Sequence, residues 1–227
     1  MMLRLNFSPI LLPAVWIAVC TTLAGCKTSE PCPECAATAG ATASAPQSAS
    51  AFVSEWLAPD QRKTSIPSFD FENQDGARIS LGDFRGTPVA ISFIYTRCQN
   101  QRKCPLVAQT MAQLAAAVER TPISPKPKVL LMTYDPEFDT PAELKAFAGV
   151  HHFAPNQNAM LLRPKVDAKE QLIASLNVPV NYNEKGVNLH GIQLVLLDKR
   201  GRFVRAYHSL LWNNADVVAD LVRLAAE

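Results

Sequence analysis

The chain has no run of like charge, no repeat at a fixed period and no unbroken apolar stretch of membrane-spanning length. Its 22 Lys and Arg against 20 Asp and Glu leave a net charge of +2, which argues against a nucleic-acid surface and against an acidic tail. Without a repeat, solenoids and propellers are excluded. The apolar run from Ile10 to Leu23 is interrupted by Pro13 and falls short of the roughly 20 residues a membrane helix takes. Histidine is scarce, with four residues in all. What is plentiful is apolar: 48% of 227 residues, enough for one ordinary domain with a sizeable core, plus appendages.

One appendage is N-terminal. Arg4 gives a short positive start, the apolar run follows, and it ends in Leu23-Ala24-Gly25-Cys26. Small residues directly before a cysteine resemble the bacterial lipobox, in which the thiol is acylated and the chain is cut just before it. The expectation is a lipoprotein signal over residues 1–25, a lipid on Cys26 and loss of Cys20. An ordinary signal peptide with a chance cysteine explains the order of residues less well. Lys27, in place of Asp, resembles outer-membrane sorting, and the inner membrane stays open. Residues 26–60 then read as a flexible, lipid-anchored tether. From Lys27 to about Ser54 the chain is Ala, Thr, Ser and Pro, too poor in large apolar side chains to order itself. Its Cys32-Pro33-Glu34-Cys35 permits a disulfide or a soft-metal site, and a tether disulfide without further role stands beside that reading. Export places the remaining cysteines in an oxidising compartment, with the domain expected to face the periplasm of a bacterial cell envelope.

Residues 61–227 read as the folded domain, with regular structure beginning near Ile66. Phe69-Asp70-Phe71 and Arg78 to Leu81 alternate around Asp75-Gly76, a β-hairpin signature. Pro88 to Tyr95 and Val129 to Tyr134 are continuous apolar runs, expected of strands buried on both faces. From Pro105 the apolar positions Leu106, Met111, Leu114 and Val118 recur at near-helical spacing, with Pro105 suited to the first helical position and Cys104 just before it. Thr140-Pro141-Ala142-Glu143 opens a helix as an N-cap, a proline and a capping-box glutamate. Ala159–Leu162 is a short strand and Val166–Leu176 a helix. Asn181 to Asn188 reads as a polar loop, Gly191–Leu197 as a strand, Arg202–Tyr207 as its antiparallel partner and Ala215–Ala226 as a closing helix. Strands alternating with helices predict an α/β sheet covered on both faces. A cysteine pair at the exit of a central strand, opening a helix, is the thioredoxin arrangement.

Five residues separate Cys98 from Cys104. On a regular helix six steps of about 100° would turn the two thiols about 240° apart, so residues 99–103 must loop out for both sulfurs to share a ligand or a bond. A helix N-terminus at Cys104 favours a thiolate there, and Arg97, Arg102 and Lys103 add positive charge. Two thiolates are soft ligands that select Cu(I) or Zn, and an imidazole would complete a trigonal site able to hold Cu(II) as well. His151 and His152 follow a helix end and His208 lies past a strand end, all three readable as surface residues. His190 stands immediately before a strand and can reach the strand exit where the cysteines sit, although a single histidine is more often structural.

Several segments together resemble the Sco/SenC copper chaperones: Val89-Ala90-Ile91-Ser92-Phe93-Ile94-Tyr95-Thr96-Arg97-Cys98 with Cys104-Pro105, Tyr134-Asp135-Pro136-Glu137-Phe138-Asp139-Thr140-Pro141, His190 ahead of a strand ending in Leu197-Asp198-Lys199-Arg200-Gly201, and Trp212 before the last helix. They appear in the family's order over residues 65–225. The resemblance implies a thioredoxin-like fold: a central mixed sheet flanked by helices, with an N-terminal β-hairpin. It implies copper, Cu(I) or Cu(II), held by Cys98, Cys104 and His190, with Asp135 as a nearby support. It implies a metallochaperone rather than an enzyme, whose partner is the cytochrome c oxidase subunit carrying the CuA site or another envelope cuproprotein. The family's usual motif has three residues between the cysteines and a proline after the first; here there are five, and Gln99 takes the proline's place. Other readings use only the thiols. A thiol–disulfide oxidoreductase needs Cys98 and Cys104 alone, though dedicated oxidoreductases of this fold use C-x-x-C. A thiol peroxidase would take Cys98 as nucleophile and Cys104 as resolving thiol, with Thr96 two places earlier, but lacks the peroxidase spacing. A plain Cys98–Cys104 disulfide is the simplest alternative.

Overall fold

The computed structural model describes residues 53–184, 186–210 and 212–227. The expected signal, Cys26, Cys32 and Cys35 lie outside them. Asn73 closes the first turn: its side-chain oxygen accepts from the backbone N–H groups of Asp75 and Ala77, and Gly76 supplies φ +77°. The turn joins antiparallel strands β1 (Asp70–Asn73) and β2 (Arg78–Ser80), the expected hairpin. Ser80 and Asp83 form a reciprocal capping box on the short 3₁₀ turn Leu81–Phe84, which leads into β3 (Val89–Ile94).

The chain then runs through α1 (Cys104–Arg120), β4 (Lys128–Thr133), α2 (Pro141–Val150), β5 (Ala159–Pro164) and α3 (Lys169–Ser175). It closes with β6 (Val180–Asn183), β7 (Gly186–His190), β8 (Leu194–Leu197), β9 (Phe203–Tyr207) and α4 (Asn214–Ala226). Seven strands form one mixed sheet in the order β2-β1-β5-β4-β3-β8-β9, with β3, β4 and β5 parallel and every other pairing antiparallel. All six residues of β3 are buried because the strand sits between two apolar layers. On one face Ala90 and Ile94 pack with Met111, Leu114, Phe147 and Leu221, from three helices. On the other, Val89, Ile91 and Phe93 pack with Phe71, Leu81 and Leu172. This is a thioredoxin-like fold, an α/β sheet covered on both faces as the alternating pattern predicts. Among the described residues no helix is long and apolar enough to cross a membrane.

Three local readings change. Helix α1 begins at Cys104 itself, one residue before the expected start, so Pro105 is second in the helix. The stretch read as a polar loop, Asn181 to Asn188, is a two-stranded antiparallel ribbon of β6 and β7. Its residues alternate apolar and polar on both sides of Gly186, which turns at φ +105°. Ordered chain also starts before residue 61. Val53 bridges to Tyr207, and the N–H groups of Ser54 and Leu57 donate to the carbonyls of Ala206 and Val204 at 2.8 and 3.1 Å. Residues 53–60 therefore cover the edge of β9, which would otherwise expose unpaired backbone groups.

Candidate metal centre

Strand β3 carries the chain to the edge of the sheet, and the next residues turn. Cys98 N–H donates to the Tyr95 carbonyl at 3.3 Å and Lys103 N–H to that of Asn100 at 2.9 Å. The Asn100 side chain accepts from Arg102 N–H at 2.9 Å, an Asx turn that takes up the intervening residues without glycine. The residues between the cysteines loop out, as their spacing demands, and both sulfurs come together. Both thiols are free, and both cysteines are buried.

The third partner arrives from 92 positions along the chain. His190 ends β7, and its Nε2 lies 3.8 Å from Cys98 Sγ. The two sulfurs and one imidazole nitrogen all lie within 4.8 Å of one another. His190 Nδ1 lies 3.4 Å from the Gly191 carbonyl, a partner for Nδ1–H when Nε2 holds a metal. Tyr182 Oη donates to the Tyr134 carbonyl at 2.6 Å and Lys103 Nζ to the His190 carbonyl at 3.2 Å, so the ribbon is tied down beside the thiols. Gly191 permits its close approach, since a Cβ there would fall 2.6 Å from Pro179 Cγ.

The charge is placed differently from the sequence expectation. The pKa of Cys98 is the lowered one, and that of Cys104 is raised. The Cys98 pKa is lowered to about 4, first by the hydrogen bond from the Cys104 thiol, then by backbone N–H groups of Cys104 and Asn100 and by His190, against the opposing effect of burial. Cys104 is pushed up, by the neighbouring Cys98 sulfur and by burial. The helix N-terminus does act, but on the other cysteine. No side chain caps α1, and the Cys104 backbone N–H favours the charged form of Cys98. The basic residues contribute less than expected. Arg97 pairs with Asp135 at 2.7 Å and lies over the Phe138 ring at 3.5 Å, while Lys103 is bonded to the His190 carbonyl.

This assignment predicts that alkylation of Cys98 by a small haloacetamide is flat from about pH 6 to 8 and falls as pH drops through about 4, since the thiolate is the nucleophile and a depressed pKa keeps it present above that value. Peptide mass mapping checks it; a rate rising steeply from pH 6 to 8 would mean an ordinary thiol.

The expected support, Asp135, is buried at 2% exposure and grips Arg97 and Thr133, whose Oγ1 accepts from Asp135 N–H at 2.9 Å. No hydrogen bond joins it to Cys98, Cys104 or His190 among the described residues. The carboxylate that braces the loop is instead Asp139, fully buried. It accepts from Thr96 N–H at 3.2 Å, from Thr96 Oγ1 at 2.5 Å and from the Thr133 hydroxyl. Burial raises its pKa, opposed by the hydrogen bonds from Thr133 and Thr96. Asp139 stands in the quoted Asp135–Pro141 segment, yet nothing in the spacing says which of its two aspartates turns toward the strand exit. Nothing in the spacing points to Tyr134 either, whose hydroxyl lies 3.6 Å from Cys104 Sγ.

A thioredoxin-like sheet presenting two free thiols and a histidine at one strand exit defines a class of thiol-and-imidazole metal sites. A family model described as SCO1/SenC matches residues 58–226, and the chain belongs to that family. It is similar to the SCO1 protein homolog of Bacillus subtilis (strain 168), 32% identical over 89 residues, 39% of this chain and 44% of the relative; the match thus spans under half of the relative's length. Among solved structures it resembles a SCO1/SenC family lipoprotein from Bacillus anthracis, with TM-score 0.62 and 27% identity over 72% of this chain and 96% of that one. It also shares the fold of Bradyrhizobium japonicum ScoI, solved with copper bound, with TM-score 0.59 and 24% identity over 71% of this chain and 99% of that one.

Proposed function

We propose that this chain is a copper metallochaperone of a bacterial cell envelope, taking copper as cargo through Cys98, Cys104 and His190. The observation that carries the reading is the convergence of two sulfurs and one imidazole nitrogen within 4.8 Å. The donor set fits a soft ion. It contains no carboxylate, and its sulfurs are sheltered, Cys104 at 1% exposure. Cys98 Sγ and His190 Nε2, 3.8 Å apart, are close enough to share one ion. Both sulfurs must be deprotonated to hold the ion, and the lowered pKa of Cys98 makes its proton the easier of the two to lose.

By family resemblance the recipient is the CuA centre of cytochrome c oxidase or another envelope cuproprotein, and a lipid on Cys26 holds the domain at a membrane. The test is copper titration of the reduced chain with Cys20, Cys26, Cys32 and Cys35 replaced by Ser. One tightly held copper per chain is expected, with a sulfur-to-Cu(II) absorption band. His190→Ala is expected to lose the band and most of the Cu(II) affinity while keeping more of the Cu(I) affinity, because two thiolates alone hold Cu(I) linearly. Equal affinities in this variant and its parent would remove His190 from the ligand set.

A second reading rests on the ionised Cys98 beside a free thiol. Cys98 sulfur would attack a target disulfide and expel one target thiolate, and Cys104 would then attack the mixed disulfide. The outcome is an internal Cys98–Cys104 disulfide and a reduced target. No copper retained, but fast exchange with a disulfide substrate, would favour this reading over the first.

A further inference from the structure

Tyr134 follows β4 and is buried at 1% exposure, yet it is a phenol rather than an apolar ring. Its backbone is held on both sides, N–H donating to the Ile94 carbonyl at 3.2 Å and carbonyl accepting from Tyr182 Oη at 2.6 Å. Its ring lies 5.6 Å from that of His190 and 5.7 Å from that of Tyr95, centroid to centroid. The hydroxyl is 3.6 Å from Cys104 Sγ, the partner it finds among the described residues. The direction of this hydrogen bond follows from the thiol pair. A thiolate has no proton to give, so toward a deprotonated Cys104 sulfur 3.6 Å away the phenol can only donate. With both sulfurs deprotonated on a metal, donation from Tyr134 is the only direction left.

We propose that Tyr134 is a positioning residue that sets which oxidation state of copper this site favours: its hydroxyl donates to the Cys104 sulfur and makes that sulfur a poorer electron donor. The inference rests on the copper reading above. A thiolate that accepts a hydrogen bond pushes less charge onto its metal, which favours the electron-rich Cu(I) form over Cu(II). Because Tyr134 is anchored through its own backbone and packed against the His190 ring, the donor is held in place without copper. Neither the phenol nor its direction was visible in the thiol spacing, since Tyr134 and Cys104 lie 30 positions apart.

The test is Tyr134→Phe in the chain with Cys20, Cys26, Cys32 and Cys35 replaced by Ser, a change that keeps the ring and removes one oxygen. Cu(I) affinity is measured by competition with bicinchoninate, Cu(II) affinity by competition with a coloured Cu(II) chelator, and the sulfur-to-Cu(II) band by absorption. The expected result is a fall of about tenfold in the Cu(I)-to-Cu(II) affinity ratio, equivalent to about 59 mV lower in one-electron potential. The absorption band is expected to move to lower energy, because the sulfur is no longer stabilised by a donor. A folded variant that binds copper with an unchanged ratio and band overturns the proposal. So does an equal loss of both affinities, which would make Tyr134 a packing residue only. A parent chain that binds no copper overturns the chaperone reading, and this inference with it.

Discussion

Cys98→Ser and Cys104→Ser are each expected to abolish tight Cu(I) retention, in the chain whose other four cysteines are already Ser. Each change swaps a soft sulfur for a hard oxygen that stays protonated, and leaves one sulfur and one imidazole. The loss should exceed the roughly 10–100-fold that removal of an outer support costs a metal site. The two variants should nevertheless differ without metal. In Cys104→Ser the serine hydroxyl and the backbone N–H groups still donate to the Cys98 sulfur, so Cys98 should stay reactive at neutral pH. In Cys98→Ser the remaining Cys104 is the buried thiol and should alkylate slowly. Bicinchoninate competition and alkylation kinetics read the two effects separately. Copper held as tightly by either variant as by its parent would rule out the two-thiolate site.

Asp139→Ala is expected to be the most damaging change outside the ligands. The carboxylate collects the Thr96 N–H, the Thr96 hydroxyl and the Thr133 hydroxyl, and removing it orphans these donors at a buried strand exit. At about 1–3 kcal/mol for each unsatisfied donor, and with some relaxation, the cost is about 3–4 kcal/mol. For a domain of this size that lowers Tm by roughly 6–16 °C. Asp139→Asn keeps one acceptor oxygen and should fall between. Copper affinity should decline with stability, because Thr96 begins the loop that carries Cys98. A thermal unfolding series checks this; a Tm drop under about 2 °C for Asp139→Ala would mean that solvent replaces the carboxylate.

Much of this protein is legible without coordinates. The apolar runs Pro88 to Tyr95 and Val129 to Tyr134 point to central strands, because a strand covered on both faces uses that many consecutive buried side chains, and β3 and β4 form there. Thr140 and Pro141 start α2 where the capping pattern places it, with Thr140 Oγ1 accepting from Glu143 N–H at 3.3 Å. Five residues between two thiols already require a loop there, and the order of motifs already points to the family. The β6–β7 ribbon is a different case: it reads as a polar loop, although Val180-Asn181-Tyr182-Asn183 and Val187-Asn188-Leu189-His190 alternate. A shortage of large apolar residues hid it, since the ribbon packs on the site loop rather than in the main sheet.

What tertiary structure alone decided concerns direction and charge. Local sequence places a cysteine at a helix N-terminus, but a helix end stabilises whichever sulfur its N–H groups point at, and in the fold that is Cys98. Two aspartates four residues apart look equivalent in the chain; one turns to Arg97 at the surface and the other inward to Thr96 and Thr133. Periodicity and composition report burial and backbone state, which are properties of neighbours in sequence. The Tyr134 phenol and the Cys98 sulfur find partners 30 and 92 positions away, and only folding brings those within hydrogen-bonding distance.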